Sequence, residues 1–445
     1  MAQAQNIGQL VRAIFQTWKT AGVDFLVLRN YETLPDFTTN DIDVLIDKKQ
    51  FHLAEELLIS TAAAHQFLLH NRVEFSTLAL YFSHPEGLQQ VHFDLFSNLK
   101  WRGFEYLDTA DFLSEKVDRG SFFVPSPVHE AAANLLGLFI YTGRIKDRYK
   151  PSICSGFRAN PEAAARLLSK TYGASLATFL VKNSVEERWE LIEEQFSAIR
   201  RALVVRQFGF HLCKTASSLL QNFVRVLKRF LHPPGVMVVL LGADGSGKST
   251  VGAAILDRLQ NTFSPLKNVC LHWKPRVFSA ADETLANTNP HGQTRRGKIT
   301  SFFYFAFHWL EFFLGAWSQI RPVLFKGGIV VIDRYYLDLF VDQKRYRMQV
   351  PHGVIRFAYV FLKKPDLVLM LDAAAEVLQK RKQEVALQET ERQQSAYRTL
   401  AASLPNSVLL DAAQPSEAVA QNASRAILKF LTNRTQTRLA TNKNG

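Results

Sequence analysis

At 445 residues the chain has room for two or three domains. With 47% hydrophobic and 21% charged residues it has a globular balance, which excludes a broadly disordered chain. A net charge of +13 favours anionic partners such as nucleotides, phospholipid surfaces or nucleic acid.

The opening residues, MAQAQNIGQLVRAIFQTWKT, interleave polar and apolar side chains, so they read as an amphipathic helix over 7–20 and not as a secretory signal. Residues 1–125 continue as a small α+β domain. Strands are expected at 24–29 and 42–47, a helix at 50–64, and strands near 74–82 and 90–96. After Pro-Ser-Pro (125–127) the pattern turns helical, and 126–231 reads as a helical connecting region that His-Pro-Pro-Gly (232–235) stops. From 236 the short runs VMVVLL, VCLHW, IVVID, LVLMLD and SVLLD alternate with helical stretches. That alternation predicts an α/β domain over 232–431, a parallel sheet with helices on both faces. The polar tail, 432–445, is expected to fray.

Directly after the first of these strands, residues 242–250 read GADGSGKST and fit G-x-x-x-x-G-K-[ST]. Glycines let backbone N–H groups turn inward on phosphate oxygens, Lys248 can reach the β and γ phosphates, and the Ser249 hydroxyl can ligate Mg²⁺. The expected nucleotide-binding set is Gly242, Asp244, Gly245, Gly247, Lys248, Ser249 and Thr250. A chance glycine turn would not sit between a buried-type strand and a helical run.

GADGSGKST resembles the loop of thymidylate kinases, and IVVIDRYYLD (329–338) is similar to their Asp-Arg-Tyr motif. The resemblance spans about 235–431 and implies an ATP- and Mg²⁺-dependent kinase. Asp333 would then serve the metal, Arg334 would hold the acceptor's anionic group, and Asp244 would meet an acceptor sugar hydroxyl. The charged stretch 376–400 takes the position of the kinase lid, with Arg381 and Arg392 as candidate closing cations. One departure concerns the acceptor. Thymidylate kinases follow the second strand with Arg-Glu-Pro-Gly, whereas HWKPRVF (272–278) stands here, with Lys274 and Arg276 able to meet an anion.

In the first half, VDFLVLRNYETLPDFTTNDIDVLIDKK (23–49) resembles the start of a DNA polymerase β-type nucleotidyltransferase domain. Asp41 and Asp43 form its D-x-D, two carboxylates on one strand face, and Asp94 in VHFDLF supplies the third. The resemblance implies a site for one or two Mg²⁺. Arg29 and Asn30 stand where that family carries Gly-Ser.

Between Gln195 and Ala243 the chain has no acid but seven Lys or Arg (Arg200, Arg201, Arg206, Lys214, Arg225, Lys228, Arg229). The segment 200–229 reads as packing between domains or as a peripheral contact with an anionic membrane. The apolar stretch 302–320 is long enough to span a bilayer, but it lies inside the kinase-like domain and carries Glu311, so a buried helix beside the acceptor site is expected. Cys154, Cys213 and Cys270 give no disulfide or zinc spacing and suit a reducing cytosol, and the histidines show no metal-ligand spacing.

The sequence therefore points first to a cytoplasmic Mg-ATP phosphotransferase. Its acceptor would be dTMP, a sugar or a sugar phosphate, the sugar route serving cell-envelope polysaccharide synthesis by resemblance. A nucleotidyltransferase acting through the N-terminal carboxylates and an ATP-switched membrane-surface scaffold are the alternatives. A homo-oligomer stays open, and no nucleic-acid-reading module is recognisable.

Overall fold

Two runs of strand-forming sequence build two five-stranded sheets, one in each of two compact units, Met1–Leu231 and His232–Gly445, and the first unit adds two two-stranded sheets within 99–125. The computed structural model describes residues 2–38, 41–85, 89–210, 212–259, 262–263, 268–272, 277–278, 296–381 and 386–443.

The first unit opens with α1 (Ala2–Thr20), β1 (Phe25–Val27), β2 (Ile42–Ile46), α2 (Phe51–Ala64), β3 (Leu68–Glu74), β4 (Leu78–Ser83) and β5 (Gln90–Phe96). Its sheet runs β1-β2-β5-β4-β3, with β2 and β5 parallel and the other neighbours antiparallel. Where one strand was expected near 74–82 there is a hairpin, because Phe75 N–H turns back onto Thr77 O at 2.8 Å and splits the run.

Helices α3 (Pro127–Thr142), α4 (Phe196–Phe210) and α5 (Leu212–Leu231) belong to the same unit. Leu26, Leu28 and Leu45 of the sheet share one core with Leu135, Phe139, Ile199 and Leu203 of α3 and α4. The segment read as a connector is therefore part of the first unit. Helices α3 and α4 bury their apolar faces on the strands, whereas α5 leaves Leu220, Phe223 and Phe230 exposed.

The second unit contains β6 (Val236–Leu241), α6 (Lys248–Arg258), β7 (Val269–His272), α7 (Lys298–Gly315), β8 (Ile329–Asp333), α8 (Asp338–Val341), α9 (His352–Val360), β9 (Leu367–Asp372), α10 (Ala375–Arg381), α11 (Leu387–Ala402), β10 (Ser407–Asp411) and α12 (Ser416–Lys443). All five apolar runs read from the sequence form strands, in a wholly parallel sheet of order β7-β8-β6-β9-β10. Odd and even residues of β6 enter different cores: Met237, Val239 and Leu241 pack with α7 and α9, and Val236, Val238 and Leu240 pack with α6 and α12. Burial on both faces is why the strand shows no polar alternation.

Helix α7 is not the buried helix that its composition suggested. Ser301, Phe305, His308, Glu311 and Phe312 face inward, while Ile299, Phe302, Phe303 and Phe307 are exposed. The C-terminal tail also departs from expectation. Instead of fraying at Thr432, α12 continues to Lys443, because Leu428, Leu431, Thr432 and Thr435 fall on one buried side. Arg434 on that helix donates to Gly235 O at 2.8 Å and to Pro234 O at 2.6 Å, at the entrance to β6. Replacing Arg434 with Ala should lower stability by about 2 kcal/mol, the scale of hydrogen bonds to a charged donor. Urea unfolding measures it, and an unchanged midpoint would show that the tail does not anchor β6.

Candidate active site

Strand β6 ends at Leu241, and the chain then turns through Gly242 and Gly247 in backbone regions that L side chains avoid, with φ of 147° and 82°. At Gly242 space is also limiting, since a Cβ would lie 2.5 Å from Leu371 O of neighbouring β9. Only glycine lets the loop pass that close. Helix α6 begins at Lys248, so the loop ends at a helix N-terminus, where N–H groups lack intrahelical partners.

Lys248 is buried and donates to Gly242 O and Ala243 O, both at 2.9 Å. Burial and the nearby Arg334 charge push its ammonium down to about 8. The Ser249 hydroxyl donates to Asp333 Oδ2 at 2.6 Å. Asp333 closes β8, and His272 Nδ1, at the end of adjacent β7, lies 3.4 Å from the same oxygen. Burial alone would raise the Asp333 carboxyl, but His272, Lys248 and Ser249 hold it down at about 2. Its other oxygen, Oδ1, is buried without a hydrogen-bond partner among the described residues.

Arg334 follows in the left-handed region at φ 63°, costly for a residue with a Cβ, and its N–H donates to Leu240 O at 3.2 Å. Its guanidinium bridges Asp244 of the loop and Asp338 of α8. Asp244 also accepts from Arg345, and these arginines hold its carboxyl well below the usual range although burial works the other way. Asp338 further accepts from Tyr346 at 2.7 Å and from Tyr397 of α11.

The sequence reading missed Arg345, Asp338, His272, Tyr346 and Tyr397. Asp338 carried a signal, standing four residues after Arg334 in DRYYLD, whereas Arg345 lay inside a basic run with nothing to mark it. Gly245 lies in the loop, while Thr250 stands exposed in the first turn of α6.

The two lid candidates separate. Arg392 on α11 donates to Val341 O at 3.2 Å and lines a cavity of about 860 Å³ with Lys298, Phe302, Lys344, His352 and Glu389. Arg381 instead donates to Ala412 O and Ala413 O at 2.6 and 3.2 Å. It braces the chain after β10, because the end of α10 lies against that turn. Lys274, Arg276 and residues 382–385 lie outside the described residues.

In the first unit Asp41, His92 and Asp94 offer ligand atoms within 4.8 Å of one another. His92 stands between the carboxylates, Nδ1 at 2.8 Å from Asp41 and Nε2 at 3.2 Å from Asp94, and stacks on Tyr81 at 4.0 Å. Burial opposes its charge, yet the two carboxylates lift the imidazole to about 10. Asp43 does not join them, because Arg29 Nε donates to it at 2.6 Å and the carboxylate is buried. The expected three-carboxylate metal set is thus divided between two protein cations, which does not fit a two-metal centre.

A parallel sheet, a phosphate loop at the carboxyl end of its central strand and an adjacent buried aspartate define a P-loop phosphotransferase. The thymidylate kinase family model matches residues 241–423, within the second unit, and supports a P-loop kinase of the nucleoside-monophosphate-kinase type there. No curated protein matches the chain.

Two outcomes follow. Phosphate binding favours the protonated amine, so with free Lys248 at about 8 the affinity for Mg-ATP should fall by about tenfold per unit as pH rises above that value. Calorimetric titration across this range checks it, and a flat profile would show that Lys248 keeps its proton. In the first unit, Arg29→Ala strands a buried carboxylate and should cost about 3 kcal/mol in urea unfolding. Asp43→Asn in that background should recover part of the loss, and no recovery would mean that Arg29 acts through packing alone.

Proposed function

We propose that the chain is a Mg-ATP-dependent phosphotransferase whose acceptor carries an anionic group, dTMP or a sugar phosphate being the leading classes. The observation that carries this reading is the orphaned, buried Asp333 Oδ1 beside Ser249 at the mouth of the phosphate loop. A buried acceptor atom with no donor is costly, and a hydrated cation would satisfy it. The residues present therefore fit Mg²⁺, with Ser249 and Asp333 as its holders. Bound there, the ion would neutralise charge on the phosphate oxygens.

The remaining work falls to this chain's own groups. Lys248 leaves the Gly242 and Ala243 carbonyls to meet the β and γ phosphates, and the loop amides orient them. Arg334 and Arg345, fixed by Asp244, form a cationic wall beside the transferring group. The cavity around Arg392 supports an anionic acceptor, since Lys298, Lys344, His352 and Arg392 line it against Asp342 and Glu389. Arg392 is the cation on the lid helix that faces this space. The N-terminal carboxylates do not enter this reading, because Arg29 and His92 already hold them.

The test is ADP release from Mg-ATP with dTMP, other nucleoside monophosphates, sugars and sugar phosphates. Turnover is expected with a phosphorylated acceptor, and Lys248→Ala should reduce it by about a hundredfold or more. Undiminished turnover in Lys248→Ala, or product lost in Asp41→Asn but not in Lys248→Ala, would overturn the assignment.

A further inference from the structure

Helix α7 is packed on one side and apolar on the other. Phe305 and Phe312 sit in the same core as β6 and β8. On the opposite side Ile299, Phe303, Phe307 and Leu310 recur at steps of three and four residues, one face of a helix, and all are exposed. Ile299 and Phe303 are 76% and 69% exposed. Helix α9 packs alongside, with Trp309 Nε1 donating to Ala358 O at 2.9 Å, and it adds Phe357, Val360 and Phe361 to the exposed set. Phe357 is 68% exposed. Clustered aromatics in water mark a binding surface rather than ordinary scatter.

Charge selects the occupant. Residues 296–326 and 352–364 carry Arg296, Lys298, Arg321, Lys326, Arg356, Lys363 and Lys364, and their only acid is Glu311, which is fully buried. An apolar stripe on elements that carry cations and no exposed acid, Lys363 alone being paired with Asp366 beyond them, is complementary to the headgroups and upper acyl region of an anionic bilayer. A second copy of this chain, itself at +13, would set like charge against like. Crossing the membrane is the wrong geometry, because the inner side of α7 is committed to the sheet and Glu311 lies within it.

We propose that the α7–α9 face seats the second unit on an anionic lipid bilayer, with α7 lying along the interface. Lys298 and Phe302 also line the cavity that holds Arg392, so docking brings the mouth of that cavity to the headgroups. The docking does not depend on phosphoryl transfer, and its test needs no nucleotide. In the first unit α5 has a similar makeup, with Leu220 and Phe223 exposed beside Arg225 and Lys228, and it serves as the internal comparison.

The experiment is sedimentation of the full chain with vesicles of phosphatidylcholine, and of phosphatidylcholine mixed with phosphatidylglycerol. Binding is expected to the mixed vesicles only, and to weaken as salt is raised. The triple variant Ile299→Ser, Phe303→Ser, Phe357→Ser should weaken it by about tenfold or more at an unchanged urea midpoint. Arg356→Glu with Lys364→Glu should weaken it while leaving the aromatics in place. Binding that survives both variants but disappears in Leu220→Ser, Phe223→Ser would overturn the proposal in favour of α5. Absence of vesicle binding, together with a concentration-dependent dimer abolished by the triple variant, would overturn it in favour of an interface between copies.

Discussion

The parallel pairing of β6 with β8 is the constraint on which the second unit depends. Its register sets Leu240 opposite Asp333, and the N–H of Arg334 completes the ladder on Leu240 O. Parallel strands end at the same edge, so the loop leaving β6 and the Asp-Arg pair leaving β8 must meet there. Neighbouring β9 closes the third side, with Leu371 O so near Gly242 that no side chain could stand at that position. A slip of one residue would turn Asp333 to the other face of the sheet and separate it from Ser249.

Most of the charge at that edge is paired before any ligand arrives. Lys248, Arg334 and Arg345 stand against Asp244, Asp333 and Asp338, and each carboxylate has at least one cation or hydroxyl on it. Lys248 meanwhile satisfies itself on the loop's own carbonyls. The loop therefore keeps its shape in water, and nucleotide binding exchanges partners instead of creating order from a collapsed turn. Preorganised donors of this kind act in a dry site, where they count for more than in solvent.

How much of this was legible follows from the range of each interaction. The strands of the second unit and GADGSGKST were readable because their patterns are local: five or six continuous apolar residues, then glycines at fixed spacing. Arg345 was not, because its partner Asp244 lies 101 residues away. Helix α7 was misread for a different reason. In FFYFAFHWLEFF apolar residues cover every side, so periodicity names no inner face, and only the buried His308 and Glu311 mark it. The tail was misread because Thr432 and Thr435 are polar by type yet buried by position. His92 was readable and was passed over: it stands two residues before Asp94 on β5, and alternation puts both on one face.

The two acidic sites show why the same residue type carries different meaning in the two units. On β2 and β5 parallel pairing sets Asp43 beside Asp94, an arrangement that concentrates negative charge and needs compensation. Here the chain supplies most of it from within: Arg29 covers Asp43, and His92, held charged by its neighbours, pairs with Asp41 and stands 3.2 Å from Asp94, although Asp94 Oδ1 makes no hydrogen bond among the described residues. At the end of β8 the compensation is left unfinished, since Ser249 and His272 approach one oxygen of Asp333 and the other makes no hydrogen bond among the described residues. An added cation would compete with a built-in one in the first unit and would fill a need in the second. That difference, more than the count of carboxylates, is what favours the phosphate loop in the proposed function.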